Sequence, residues 1–274
     1  MSRIAALFDG LKADHRVALV PFITAGDPDP EATVPIMHAL VEGGADMIEL
    51  GVPFSDPMAD GPVIQRASER ALKHGVSLSQ VLNMVERFRQ DDTATPVILM
   101  GYLNPVEIMG YQKFIDRATT VGVDGCLIVD LPPEEDTDVL PLFRARGIDQ
   151  IFLISPTTTD TRLDMISSAG SGFLYYVSLK GVTGSSRLNV DEVRQKLEHI
   201  RTRTDLPVGV GFGIKDAETA AAMAAISDAV VIGSSLVEYL SQRAGEADKL
   251  PAHAREFLVT MRQAMDAVRT ESKL

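Results

Sequence analysis

The chain has 274 residues, 45% of them hydrophobic, with 26 Lys and Arg against 38 Asp and Glu and a net charge of −12. That length and apolar fraction supply a substantial core. The acidic balance, with no basic block, excludes a phosphate-backbone footprint and argues against a nucleic-acid partner, while the single cysteine, Cys126, excludes an intrachain disulfide and suits a reducing compartment.

In chain order, "MSRIAALFDGLKADHR" lacks a long apolar core and a small-residue cleavage site, and no run approaches bilayer length. A cytoplasmic protein without a membrane partner is expected, opening with a short amphipathic helix over residues 2–12. Eight β-rich runs follow: "VALVPFIT" (17–24), "DMIEL" (46–50), "PVILMGY" (96–102), "GCLIVDL" (125–131), "QIFLIS" (150–155), "GFLYYVS" (172–178), "PVGVGFG" (207–213) and "DAVVIGS" (228–234). Helical patterns such as "PEATVPIMHALVEGG", "SLSQVLNMVERFRQ", "YQKFIDRATTVG", "TDVLPLFRARG", "VDEVRQKLEHIR" and "DAETAAAMAAI" separate them, several ended by glycine. An extra helix, "PVIQRASERALKHG", lies between the second and third runs, a short one, "GSSLVEYL", follows the eighth, and "AREFLVTMRQAMDAVRT" reads as a helix packed on its own domain. Continuous apolar strands alternating with helices imply a parallel sheet covered by helices, and eight such units match a (β/α)8 TIM barrel, with an open doubly wound sheet as the alternative. Without linkers or low-complexity segments, residues 1–274 read as one domain.

The stretch "ELGVPFSDPMADG" (49–61) places a carboxylate at the end of the second strand and two aspartates, Asp56 and Asp60, in the turn-rich segment after it. Period-2 alternation sends Glu49 to the face opposite Ile48 and Leu50; with those two on the covering helices, Glu49 points into the barrel mouth, where βα loops build active sites. Burial raises the pKa of such a group towards a value useful for proton transfer. A carboxylate satisfied by backbone or hydroxyl donors is the bland reading. Asp60, eleven residues on, could flank the same ligand, yet Asp56 and Asp60 equally suit caps and turns. Glycine-rich turns follow the sixth, seventh and eighth strands ("LKGVTGSS", "GVGFGI", "VIGSS"), where barrels often bind phosphate through backbone N–H groups. Alternatively, glycine there only relieves crowding at strand ends. His15, His38, His74, His199 and His253 show no metal-ligand spacing, so no metal is expected. Tyr102 and Tyr175 are candidate pocket residues.

Together "IELGVPFSDPMADGPVIQ", "MGYLNP", "GCLIVDLPPEE", "SPTTTDTRL", "GFLYYVSLKGVTG", "GVGFGI" and "VIGSSLVE" resemble, in order over roughly residues 15–240, the tryptophan synthase alpha chain family. The resemblance implies a (β/α)8 lyase that cleaves indole-3-glycerol phosphate to indole and glyceraldehyde 3-phosphate in tryptophan biosynthesis, with no cofactor of its own. It implies that Glu49 is the acid/base and that Asp60 holds the indole N–H. It places phosphate on backbone groups around Gly184, Gly213, Gly233 and Ser234. Phe22, Met100, Leu127, Val129, Tyr175, Phe212 and Ile232 are expected to line the indole slot, with Tyr102 in the same pocket. A loop carrying Thr183 is expected to close over the site, Thr183 meeting Asp60. The implied partner is a pyridoxal phosphate beta chain in an alpha2-beta2 complex, docked on residues 53–62, on Asn104 and Pro105, and near Gly181. Lys180, the stretch "GSSRLNVD", Met100 and Val129 depart from the family pattern. Two alternatives keep parts of this reading: a sugar-phosphate isomerase would retain the phosphate turns with other catalysts, and a non-catalytic activator of the beta chain would not need the carboxylates.

Overall fold

The computed structural model describes residues 2–135, 139–177, 190–211 and 213–271. Among them run nine strands, β1 (Ala18–Thr24), β2 (Ile48–Gly51), β3 (Val97–Gly101), β4 (Gly125–Ile128), β5 (Asp149–Gln150), β6 (Phe152–Ile154), β7 (Leu174–Val177), β8 (Val208–Gly211) and β9 (Ala229–Ile232). Each predicted run overlaps a strand, and the fifth overlaps two. The sheet order is β5-β4-β3-β2-β1-β9-β8-β7-β6, every pairing parallel. Its two ends are β5 and β6, separated only by Ile151, whose N–H donates to the Cys126 carbonyl at 2.9 Å. The sheet therefore returns on itself as a (β/α)8 barrel rather than an open sheet.

Alternation along each strand divides the apolar residues between two cores. Leu19, Ile48, Leu50, Val97 and Leu99 face the surrounding helices. Val20, Met47, Ile98, Leu127, Phe173 and Val231 fill the barrel. The helix Arg3–Ala13 closes the end from which the strands start, inserting Ile4, Phe8 and Leu11, with the Phe8 and Phe173 rings 5.8 Å apart. Ser2 caps it by accepting the Ala5 N–H at 3.1 Å, and Arg3 reaches Asp124 at 2.7 Å. Asp124 also accepts from Arg89 at 2.7 Å and from the Val97 N–H at 2.8 Å, so one buried carboxylate ties the plug to the barrel floor. With the floor filled, the open space lies at the other end, beyond the strand C-termini.

The extra helix between β2 and β3 spans Pro62–Lys73, and the one after β9 spans Ser234–Ser241. Two helices went unread in the sequence. The "LNP" segment forms Leu103–Met109, because Pro105 sits in the first turn, where its missing N–H costs nothing. Asp160–Ala169 is capped by Thr159, which accepts the Arg162 N–H at 3.4 Å, but its polar, threonine-rich start masks the helical period. No helix of the described residues is long and apolar enough to cross a membrane.

Candidate active site

Glu49 sits within β2 at the register of Phe22 on β1 and Ile98 on β3. Ile48 and Leu50 point to the helices, so the pleat turns Glu49 into the barrel, where its side chain lines a cavity of about 460 Å³ at the strand C-termini. That volume suits a ligand of a few fused rings with a polar tail. Only 1% of Glu49 is exposed, and its Oε1 has no hydrogen-bond partner among the described residues. Desolvation first, and the nearby Asp60 charge second, push its pKa up to about 8. The donors that the bland reading requires are therefore missing at Oε1.

Asp60 reaches the same cavity from the loop after β2. The loop is braced: the Asp60 N–H donates to the Pro57 carbonyl at 3.0 Å, and its own carbonyl accepts from Gln65 at 2.9 Å. Burial raises the Asp60 carboxyl to about 6, while a hydrogen bond from Tyr102 holds it lower than burial alone would. Two carboxyls on one cavity thus differ by about two pKa units. At neutral pH, Glu49 is mainly a neutral acid and Asp60 mainly an anion.

Tyr102 does not line the cavity. Its hydroxyl accepts the Ala59 N–H at 3.1 Å and donates to Asp60, and its ring stacks on Phe54 at 5.2 Å and 29°. It grips the loop that carries Asp60 from behind, which is why a residue read as a pocket liner stands one layer away.

The apolar walls include Phe22, Met100, Val129 and Tyr175 from the sequence reading, joined by Ile64 and Leu153. Two expected liners are placed elsewhere. Leu127 belongs to the packed layer beneath the cavity, and Ile232 faces the helices because Val231, its neighbour in the alternation, takes the inward position. Ile64 was hidden in a helix whose pattern is mainly polar, and Leu153 in a continuous apolar run without alternation. Strand glycines make room for the aromatic rings. A Cβ on Gly51 would lie 2.6 Å from Phe22 Cζ, and one on Gly211 would collide with the Tyr175 hydroxyl.

The same cavity is lined by Gly213, Gly233, Ser234 and Ser235. Gly233 and Ser234 open the helix Ser234–Ser241, whose first N–H groups have no intrahelical acceptor. Ser235 Oγ donates to the Ile214 carbonyl at 3.0 Å and ties this helix to the turn after β8. Gly213 takes a φ of 80°, which favours glycine. Gly209 and Gly211 relieve crowding against Phe173 and Tyr175. Gly209 and Gly211 thus match the crowding reading of the glycines, while Gly213 and Gly233 line the cavity. The expected Thr183, Gly184 and Phe212 lie outside the described residues, as do Lys180 and Gly181. Among the described residues no group of three or more His, Cys, Asp or Glu could hold a metal.

The arrangement is a largely apolar cavity lined by an acid, an anion and the backbone of glycine turns. It can bind a planar apolar group attached to an anionic tail and move a proton between carbon and oxygen. Comparison with known proteins bears on which ligand that is. Residues 8–268 match the family model described as tryptophan synthase alpha chain. The chain is 56% identical to the tryptophan synthase alpha chain of Methylococcus capsulatus over 267 residues, covering 97% of this chain and 100% of that one. It is 58% identical to that of Thioalkalivibrio sulfidiphilus over 266 residues, again 97% and 100%. The crystal structure of tryptophan synthase subunit alpha from Legionella pneumophila matches with a TM-score of 0.91 at 47% identity, covering 97% of this chain and 99% of that one. An open form of Mycobacterium tuberculosis tryptophan synthase matches with a TM-score of 0.86 at 34% identity, covering 97% and 99%.

Proposed function

The chain belongs to the tryptophan synthase alpha chain family, whose reaction is the cleavage of indole-3-glycerol phosphate, and from that premise we propose that Glu49 and Asp60 carry the reaction here. The residue that supports this most directly is Glu49: a buried carboxyl with a free oxygen, facing the cavity and protonated near neutrality.

The chemistry follows from what must move. Cleaving the bond between the indole ring and its side chain requires a proton on the ring carbon that leaves and loss of a proton from the adjacent hydroxyl, which becomes the aldehyde. Glu49 donates the first proton. Protonation of the ring carbon makes a cation delocalised onto the indole nitrogen, and the Asp60 carboxylate, accepting the N–H, stabilises it. The electron pair of the breaking C–C bond then restores the aromatic ring, and the Glu49 carboxylate takes the hydroxyl proton. Protons balance over the cycle, so one carboxyl serves as acid and then as base.

Binding divides along the slot. Phe22, Ile64, Met100, Val129 and Leu153 hold the indole, Tyr175 supports Glu49 from β7, and backbone N–H groups at Gly213, Gly233 and Ser234 take the phosphate. Thr183, Gly184 and Phe212 complete the assignment carried by the family pattern. The same pattern leads us to assign the whole length to one cytoplasmic domain.

An alpha chain implies a beta partner in the complex. We assign an alpha2-beta2 assembly in which the beta chain holds pyridoxal phosphate. The docking face is the loop carrying Met58, 82% exposed, together with the helix carrying Ile108, 80% exposed, because two large apolar side chains left in water mark a surface that a partner covers. The test is an indole-release assay with indole-3-glycerol phosphate, on the chain alone and with a beta chain, beside Glu49→Gln. Indole that rises with the partner and disappears in the variant is expected; full turnover in Glu49→Gln would overturn the assignment.

A further inference from the structure

Lys215 is a charged residue on the cavity that the catalytic reading leaves unused. It follows Gly213 and Ile214 and lines the cavity beside Gly233, Ser234 and Ser235. Its backbone is fixed: the Lys215 N–H donates to Thr219 Oγ1 at 3.1 Å, and Asp216 caps the helix Ala217–Ala224 by accepting from the Thr219 N–H at 2.9 Å and from its hydroxyl at 2.8 Å. The side chain itself is exposed and, among the described residues, its ammonium makes no ion pair within 4.0 Å. The adjacent Asp216 carboxylate is hydrogen-bonded in the helix cap and interacts with Lys215 through charge, the lesser of the influences that lower its pKa.

The charges around the cavity give this cation a role. Of its described lining residues, Glu49, Asp60 and Glu238 are acids, and Lys215 is the one base. Glu238 is paired with Arg66 at 3.5 Å. The whole chain carries −12, so a phosphate dianion approaches a repulsive field and enters a cavity with more carboxyls than ammonium groups. Backbone N–H groups supply partial charges only. A lysine on a flexible four-carbon stem beside those N–H groups supplies a full one.

We propose that Lys215 is a substrate-binding residue whose ammonium captures the phosphate of the substrate at the mouth of the cavity. The inference rests on the lyase reading for the identity of that substrate. Its contribution is to capture and ground-state affinity, since the phosphate does not change charge during the reaction. It also favours phosphorylated ligands over neutral analogues of the same shape.

The test compares wild type with Lys215→Met and Lys215→Arg. In Lys215→Met, KM for indole-3-glycerol phosphate rises about tenfold, as expected for loss of a charged hydrogen bond, and the loss falls in KM rather than kcat. Competitive inhibition by inorganic phosphate weakens by the same factor, whereas inhibition by indole, which carries no phosphate, stays as in wild type. Lys215→Arg restores both constants. Added salt raises KM more steeply in wild type than in Lys215→Met. An unchanged KM and unchanged phosphate inhibition in Lys215→Met, or equal weakening for phosphate and indole, would overturn the proposal. Calorimetric titration of both proteins with inorganic phosphate reads Lys215 without turnover. A wild type that binds phosphate through Lys215 yet releases no indole would sink the lyase reading and leave this one standing.

Discussion

At the scale of the residue, the site turns on two carboxyls that burial treats unequally. Glu49 has its pKa raised from 4.5 to about 8, chiefly by desolvation, and Asp60 from 3.8 to about 6, with Tyr102 opposing the rise. The rate should depend on the protonated form of the first and the ionised form of the second. A bell-shaped kcat/KM profile with limbs near pH 6 and 8 is expected, reported as apparent values of the coupled pair. Tyr102→Phe removes a hydrogen bond that favours the Asp60 anion, so its acid limb should move to higher pH; an unmoved limb would show that Tyr102 does not hold Asp60. Asp60→Asn should lower kcat by about a hundredfold or more, measured by indole release, as for loss of a group that stabilises transition-state charge. The pleat made Glu49 legible in the sequence, because alternation sets it opposite Ile48 and Leu50, and the packing of those two on the helices turns it inward. Tyr102 was misread as a pocket wall because its partner, the Ala59–Asp60 turn, comes from another loop.

Protonation of Glu49 also enters stability. Between pH 4.5 and about 8 the folded chain keeps a proton on Glu49 that the unfolded chain has lost, so this group's contribution to stability falls as pH rises through that window. Glu49→Gln keeps the shape without the charge. It should melt about 3 °C higher than wild type at pH 8.5, with the gap closing towards pH 4.5, where the wild-type carboxyl is neutral in both states. A constant gap across pH would assign the stabilisation to something other than ionisation.

Among the elements, strands and helices were read from local pattern with few exceptions, since parallel strands buried on both faces are continuous apolar runs. The fifth strand was read as one, but the structure breaks it at Ile151 into β5 and β6, which pair with opposite neighbours. That break is where the barrel closes, and closure is a relation between distant strands that no local window contains. The glycines of β8 show a similar limit. Gly211→Ala should displace the Tyr175 hydroxyl and lower kcat, with circular dichroism showing an intact barrel; a fully active variant would show that Tyr175 has room to move. The helix Arg3–Ala13 was expected from its amphipathic sequence, while its use as the barrel floor was not. Phe8→Ala should cost about 3 kcal/mol in urea unfolding, because Phe8 packs on Phe173 inside the barrel.

For the whole molecule, the two cores and the polar end of the barrel explain why the cavity opens where it does. Helix Arg3–Ala13 fills one end, so the cavity lies at the other, and the loop proposed for docking, which exposes Met58, is the same loop that presents Asp60. Ile108→Asp should weaken stimulation by the beta chain at least about tenfold through loss of a buried apolar contact, with indole release by the isolated chain as the internal control. Stimulation at the wild-type partner concentration would place the docking face elsewhere. The sequence by itself determined the alternation of strands and helices, the placement of Glu49 opposite Ile48 and Leu50 and the ordinals of the glycine turns, because each depends on short periodicity and on local backbone freedom. Only the tertiary structure decided that Val231 rather than Ile232 faces the cavity, that Tyr102 stands behind Asp60, and that Lys215 lines the same cavity as Glu49. Those facts depend on how residues far apart in the chain meet across a closed barrel, and distance in space is not a property of any local stretch of sequence.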